Sequence, residues 1–498
     1  MKDDVLLFSE PELEFGNHQY MQDPHDGLAL FGPYDLAGSS QPKNIVYGLI
    51  GTSDGMQLFE AWGKILSSAL IHADENSRRL WPPFPGFEAA TGAIWPLKAA
   101  WNHGLDRGEL IEAAQINDAH QRAAKVVQFY IGAISAAKKR DENFGVFVCV
   151  IPDLVWTNCR PKSVVMAGIG EKTSAQTRKQ RKRGQLEIFT QYEPDDYQYS
   201  VDFRRQLKAK AMEFGVPIQI LRESTLRPDD DNVFGQRGLT PLSDRAWNLA
   251  TTLYYKSGGK PWRLAGAREG VCYLGIAFRM VEENKTSACC AAQMFLDSGD
   301  GIVFLGDYGP WYSPEKKQFR LSKDASRNLL AGILKIYKEQ DGKPLKEIFL
   351  HSRSNISEEE FAGYQAACPE GVSLVGVRIR FEKRGFRLFR PGTRPVFRGM
   401  FLKESETQGY LWGNGFKPRL LTYDGWEVPV PLRIDLQHGK ADIIQVAKDI
   451  LSLTKLNYNT CKLGESQPVT VHFSDAVGEI LVNNPKTKNP QHSFKFYI

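Results

Sequence analysis

In "FRRQLKAKAM", Arg204 and Lys208 stand four residues apart, a spacing that puts both side chains on one face of a helix. Gln219 follows in "VPIQILRES", a strand pattern that, packed beside that helix, returns the amide toward the helix start. Lys256 closes the next amphipathic pattern, "WNLATTLYYKSGGKPW", where two glycines stop the helix. Cations from two helices, an amide and exposed helix-terminal N–H groups are the parts of a phosphate pocket. On spacing alone, a solvated basic face is the commoner result of such a pattern, and both readings stand at this point.

Two further segments concentrate positive charge. "RKQRKRG", from Arg178 to Gly184, reads as a surface loop or a solvated charge run. "RIRFEKRGFRLFRPGTRPVFRG" interleaves Arg378, Arg380, Lys383, Arg384, Arg387, Arg390, Arg394 and Arg398 with phenylalanines. Alternation along a strand buries the aromatics and exposes the cations, which fits a nucleic-acid channel with steep salt dependence. Carboxylates able to hold a metal pair are harder to find. Asp297, Asp300 and Asp307 flank "GIVFLGD", and the first two read as hairpin turn residues. The nine histidines form no H-E-x-x-H and no cluster with cysteine, which excludes a structural zinc. The seven cysteines are odd in number, lack C-x-x-C and fit a reducing cytosol, with Cys289 and Cys290 inside the apolar "ACCAAQMFL".

The elements that must position these groups follow from periodicity. A chain of 498 residues, 42% apolar, can bury a large core and more than one domain. Its net charge of +5 permits nucleic acid as a partner without requiring it. No apolar run approaches the roughly 20 residues of a membrane span, and the start is no signal peptide, so a soluble cytoplasmic protein is expected. "NIVYGLIGT" reads as a buried strand, and "SDGMQLFEAWGKILSSAL" as a helix with Asp54 near its cap. A helix over 117–139 leads into "NFGVFVCVIPDLVW", apolar on both faces like a central parallel strand. The alternation continues through "LEIFTQY", "DFRRQLKAKAMEFG" and "VPIQILRES", predicting a Rossmann-like layer. Beyond Trp262, "VCYLGIAFRMVE", "SACCAAQMFLD" and "GIVFLGDYG" read as a strand meander. Helix, strand, helix and strand then follow from Ser326 to Phe381. The boundary falls near Pro261–Leu264.

"FRRQLKAKAMEFGVPIQIL" followed by "NLATTLYYKSGGKPW" resembles the MID domain of Argonaute proteins. The resemblance implies that Lys208, Gln219 and Lys256 hold the 5′ phosphate of a guide strand. Arg204 stands where many members carry a tyrosine stacked on the first base; a guanidinium can also stack and adds charge. Thr252 stands where eukaryotic members carry a second lysine. "DPHDGLALFGPYD" resembles the opening of short prokaryotic Argonautes. "RGMFLKESETQGYLWGNGFKPRLLTYDGWEVPVPL" and "KLNYNTCKLGESQPVTVHFSDAVGEI" are similar to later PIWI segments. No stretch resembling a PAZ domain is found. The fold so implied is α/β: an N-terminal segment over 1–40, a Rossmann-like MID domain over 41–262 and an RNase H-like PIWI domain over 263–498.

The resemblance further implies a Mg2+ ion bridging the guide phosphate, Gln219 and the carboxylate of Ile498. It places vestiges of the PIWI metal site at Ala277, His351 and Asp475, of which only Asp475 is a carboxylate. An inactive nuclease is therefore expected: a scaffold for a guide RNA that finds complementary single-stranded DNA without cutting it. Short members pair with an APAZ-domain effector (TIR, sirtuin-like or nuclease) in defence against plasmids or phage. The alternatives are an active guide-directed nuclease, using carboxylates not recognised in the sequence, or a guide-free scaffold.

Overall fold

The computed structural model describes residues 1–498 except 1–3, 73, 141, 162, 167–168, 173–200, 228–239, 281–287, 297–300, 314, 316–317, 340–342, 383–385, 424, 426, 474–475, 479 and 481–490. Short strands β1 (Val5–Leu7), β2 (Leu13–Glu14) and β3 (Tyr20–Met21) and helix α1 (Pro24–Phe31) form the N-terminal segment. A four-stranded parallel sheet follows, built from β4 (Tyr47–Gly51), β5 (Trp101–Gly104), β6 (Val146–Ile151) and β7 (Ile218–Arg222) in the order β5-β4-β6-β7. Every residue of β4 and β6 is buried, as helices on both faces of a parallel sheet require.

Those helices start where polar caps dictate. Helix α2 (Ser53–Leu66) is capped by Thr52, whose hydroxyl accepts from the Gly55 N–H; Asp54, expected near the cap, sits in the first turn. Asp118 caps α3 (Ala119–Lys138) in the same way. The run "NFGVFVCVIPDLVW" does not stay one strand. Pro152 has no N–H to donate to a neighbour, β6 stops at Ile151, and α4 (Asp153–Asn158) begins. Asp202 caps α5 (Phe203–Ala211), and α6 (Leu242–Lys256) ends before Gly258, whose φ of 102° suits only glycine. "LEIFTQY" and "RKQRKRG" lie outside the described residues.

After β8 (Arg263–Leu264), strands β9 (Val271–Met280), β10 (Ala288–Phe295) and β11 (Gly301–Gly309) form the expected antiparallel meander. Helix α7 (Lys323–Glu339) leads to β12 (Glu347–Ser352), which lies parallel to β9. Helix α8 (Glu358–Ala367), held by a Ser357/Glu360 capping box, leads to β13 (Ser373–Phe381). Strands β14 (Met400–Lys403), β15 (Gln408–Leu411) and β16 (Leu432–His438) extend the sheet, and helices α9 (Ile443–Leu453) and α10 (Val469–His472) follow. The nine strands run β1-β14-β15-β16-β13-β12-β9-β10-β11.

The N-terminal segment ties the two layers together. β1 pairs with β14 of the large sheet, while β2 pairs with the linker strand β8 on one side and with β3 on the other. Glu10 is the buried anchor: its carboxylate accepts from Arg398 Nε and Lys455 Nζ, each at 2.9 Å. Burial alone would raise the Glu10 pKa, but Arg398 and Lys455 together hold it at about 2.

Candidate nucleic-acid interface

Residues from α5, β7 and α6 converge on one point. Lys256, on the last turn of α6, is 1% exposed rather than solvated. Its ammonium donates to the Ile218 carbonyl and to Gln219 Oε1, both at 2.8 Å. Both acceptors are neutral. Burial pushes the Lys256 pKa well below that of a free lysine, and the charges of Lys208 and Arg204 push it further. Lys208, one turn after Arg204 on α5, is lowered to about 7 by burial and then by Arg204, with Asp202 opposing. Solvent reaches Arg204 and part of Lys208, yet protein atoms crowd both heads. The site thus gathers three basic groups whose charged forms burial and mutual repulsion disfavour, an environment that an anion would relieve.

The chain's last residues close this pocket. Lys208 Nζ lies 3.4 Å from the Tyr497 carbonyl, and Ile498 is 2% exposed within the main core. Arg204, Lys208, Gln219, Lys256 and the Ile498 end are therefore brought to one locality. Gln219 and a carboxylate at Ile498 are hard oxygen donors of the kind Mg2+ takes. However, the Gln219 oxygen already accepts from Lys256, and three cations surround the place. These residues fit a divalent ion only alongside phosphate oxygens.

One participant is not apparent from the sequence. Trp156 of α4 has the Arg204 and Arg222 guanidiniums each 5.0 Å from its ring centre. Arg204 lies over this indole, beside a cavity of ≈ 240 Å³ that Arg160 and Asp202 also line. The aromatic in "PDLVW" was the available signal. Thr252 donates its hydroxyl to the Asn248 carbonyl at 2.8 Å and brings no charge.

Ala277 and His351, which the resemblance assigns to a vestigial metal site, lie on the large sheet. Gly275 of β9 pairs with His351 of β12, and His351 pairs with Val377 of β13, so these residues and Ala277 share one face. Ala277 is 2% exposed. His351 Nδ1 lies 2.9 Å from Thr470 Oγ1, and burial lowers its pKa to about 3, leaving the ring neutral. Gln293 Nε2 donates to the Thr470 carbonyl at 3.0 Å. A Cβ on Gly275 would come within 2.2 Å of that carbonyl, so glycine is what lets α10 seat on the sheet. Asp475, Asp297 and Asp300 lie outside the described residues, as does the side chain of Asp307. Among the described residues, no group of three or more His, Cys, Asp or Glu could hold a metal ion.

The basic segment departs from expectation. Regular alternation ends with β13 at Phe381. Arg378 and Arg380 sit on the sheet face opposite Val377 and His351. Arg387 donates to the Glu382 and Phe386 carbonyls, and Arg390 stacks 4.2 Å from the Phe397 ring centre. Phe389, expected inside, is 72% exposed, whereas Arg398, expected outside, is buried against Glu10. Arg384 lies outside the described residues. Cys149, Cys159, Cys272 and Cys461 are buried and Cys368 is partly so; the side chains of Cys289 and Cys290 are not described.

No protein-family model matches this sequence, and no curated protein matches it. Solved structures do. The chain is similar to the Clostridium butyricum Argonaute bound to a guide DNA and a 19-mer target DNA, with a TM-score of 0.61 and 14% identity over 99% of this chain and 54% of that one. It is similar to the A. aeolicus Argonaute, with a TM-score of 0.56 and 13% identity over 98% of this chain and 54% of that one. Drosophila Piwi gives a TM-score of 0.58 and 10% identity over 99% and 56%. At such identities the likeness is one of fold: this α/β chain has the architecture of part of an Argonaute and spans about half the length of those it matches. Among the described residues, no helix is long and apolar enough to cross a membrane.

Proposed function

We propose that this chain grips the 5′ phosphate of a short guide strand and presents that strand for pairing without cutting what it finds. The observation that carries the reading is the Lys256 ammonium, buried between the Ile218 carbonyl and Gln219 beside Lys208 and Arg204. A dianionic phosphate supplies the counter-charge that these groups lack in the free protein. Lys256 and Lys208 bind its oxygens, Arg204 adds charge at the rim, and Gln219 orients Lys256. Gln219 and a carboxylate at Ile498 would help hold a Mg2+ ion, which would neutralise part of the phosphate charge. A small RNA is the proposed guide and complementary single-stranded DNA the proposed target. Holding the first guide nucleotides in helical form lowers the entropy cost of pairing.

Ala277, a neutral His351 and the seated Thr470 support recognition without cleavage. The output would then come from a partner chain, an APAZ-bearing effector that consumes NAD or nucleic acid in defence. Sequencing the nucleic acid that co-purifies with the protein tests the reading. A short population with uniform 5′ ends is expected; the absence of any short strand would favour a guide-free scaffold and overturn it.

A further inference from the structure

Beyond α8, the large sheet's second face carries a row of aligned residues, exposed at Val5, covered at Tyr410 by Phe386 and part-buried at Arg433 and Arg380. Cross-strand pairing aligns Val5 of β1, Leu402 of β14, Tyr410 of β15, Arg433 of β16 and Arg380 of β13. The row begins apolar and ends basic. At its basic end, Arg380 stands directly opposite Arg433, an arrangement of like charges that costs stability unless an anion intervenes. Asp435, on the same face of β16, is taken by Arg433 at 2.9 Å. Arg380 Nε is buried without a hydrogen-bond partner, and a cavity of ≈ 450 Å³ opens beside it, with Arg378 and Gln408 also in its wall.

The apolar end is an open sheet edge. Phe8 N–H donates to the Gly399 carbonyl and Lys403 N–H to that of Asp4, so residues 4, 6 and 8 point their main-chain groups toward β14. Val5 and Leu7 therefore aim theirs outward, and among the described residues no strand pairs with that edge. Their side chains are 45% and 59% exposed. An unpaired edge flanked by exposed apolar side chains is what a protein normally covers.

We infer that this surface docks a separate polypeptide, which adds a strand to β1 and places a carboxylate between Arg380 and Arg433. A nucleic acid could answer the arginines but could not continue a strand ladder with the outward N–H and C=O groups of Val5 and Leu7. The face is also the one turned away from Ala277 and His351. The inference rests on the partner proposed above and assigns the surface that holds it.

The test uses the full chain with the APAZ-bearing chain as probe, measuring their affinity and, separately, binding of a 5′-phosphorylated guide and a target DNA. Leu7→Pro removes one outward N–H while leaving the bonds of residues 4, 6 and 8 to β14 intact. Arg378→Glu with Arg380→Glu reverses the charge at the other end, where both side chains are part-buried. Each should weaken partner binding by about tenfold or more while guide affinity stays within about twofold. Unchanged partner binding in both variants, or no complex with the unaltered chain, overturns the inference. So does an arginine variant that loses target DNA but keeps the partner, which would give the face to nucleic acid. A chain that retains no guide yet shows the partner losses sinks the guide reading and leaves this one standing.

Discussion

Replacing Lys256 with methionine separates a binding charge from a structural one. In the free protein the ammonium is desolvated, bonded to neutral oxygens and repelled by Lys208 and Arg204. On a bound phosphate it forms a charge-assisted hydrogen bond, whose loss costs about 1.5–3 kcal/mol. At 1.4 kcal/mol per decade, affinity for a 5′-phosphorylated guide should fall roughly 10- to 150-fold. A 5′-hydroxyl guide offers no such charge, so its affinity should hardly move. Folding stability is pulled both ways. Methionine removes a buried charge but leaves Gln219 Oε1 and the Ile218 carbonyl without their donor, at about 1–3 kcal/mol. The melting temperature should therefore shift by only a few degrees. Fluorescence polarisation with the two guide forms, beside a thermal melt, measures each part. Equal weakening of both guides, or no weakening of either, refutes the phosphate assignment.

Lys208→Ala combined with Lys256→Ala should abolish guide retention while unfolding stays cooperative; normal retention removes both lysines from the site. Lys208 titrates near 7 in the free protein against 10.5 for an ordinary lysine. Between those values the unfolded chain holds more protons than the folded one, so the free protein should gain stability as pH rises, while 5′-phosphate affinity falls as Lys208 discharges. Calorimetry and binding titrations across that interval check the two signs. Glu10→Gln strands Arg398 and Lys455 and should cost about 3–5 kcal/mol in denaturant unfolding. In the unaltered chain, Glu10 titrates near 2 instead of 4.5, so its contribution is present above 4.5 and fades as pH falls through 2. Labelled target incubated with the guide-loaded chain and magnesium or manganese should remain intact, also in Ala277→Asp; specific products would mean a working metal site.

What the sequence disclosed depended on how local the cause was. Strands β4 and β6 are continuous apolar runs, and α3 and α5 begin at aspartates, so short windows contain the whole signal. The lysine pair was legible because helical spacing and a strand return bring Lys208, Gln219 and Lys256 together through neighbouring elements. Arg398 was not, because its partner Glu10 lies 388 residues away and nothing near "PVFRG" announces it. The arginines of β13 show the deeper limit. Alternation separates Arg378 and Arg380 from Val377 and Ile379, but only pairing with β12 decides which set faces His351. A register is a property of two strands, so a basic strand read by itself is assigned to a groove by default. Here the pairing turns those arginines to the face opposite His351, where Arg380 stands beside Arg433 of β16. Positive charge is thereby divided between the pocket at α5 and α6 and this far face, which is why the two are probed by separate variants.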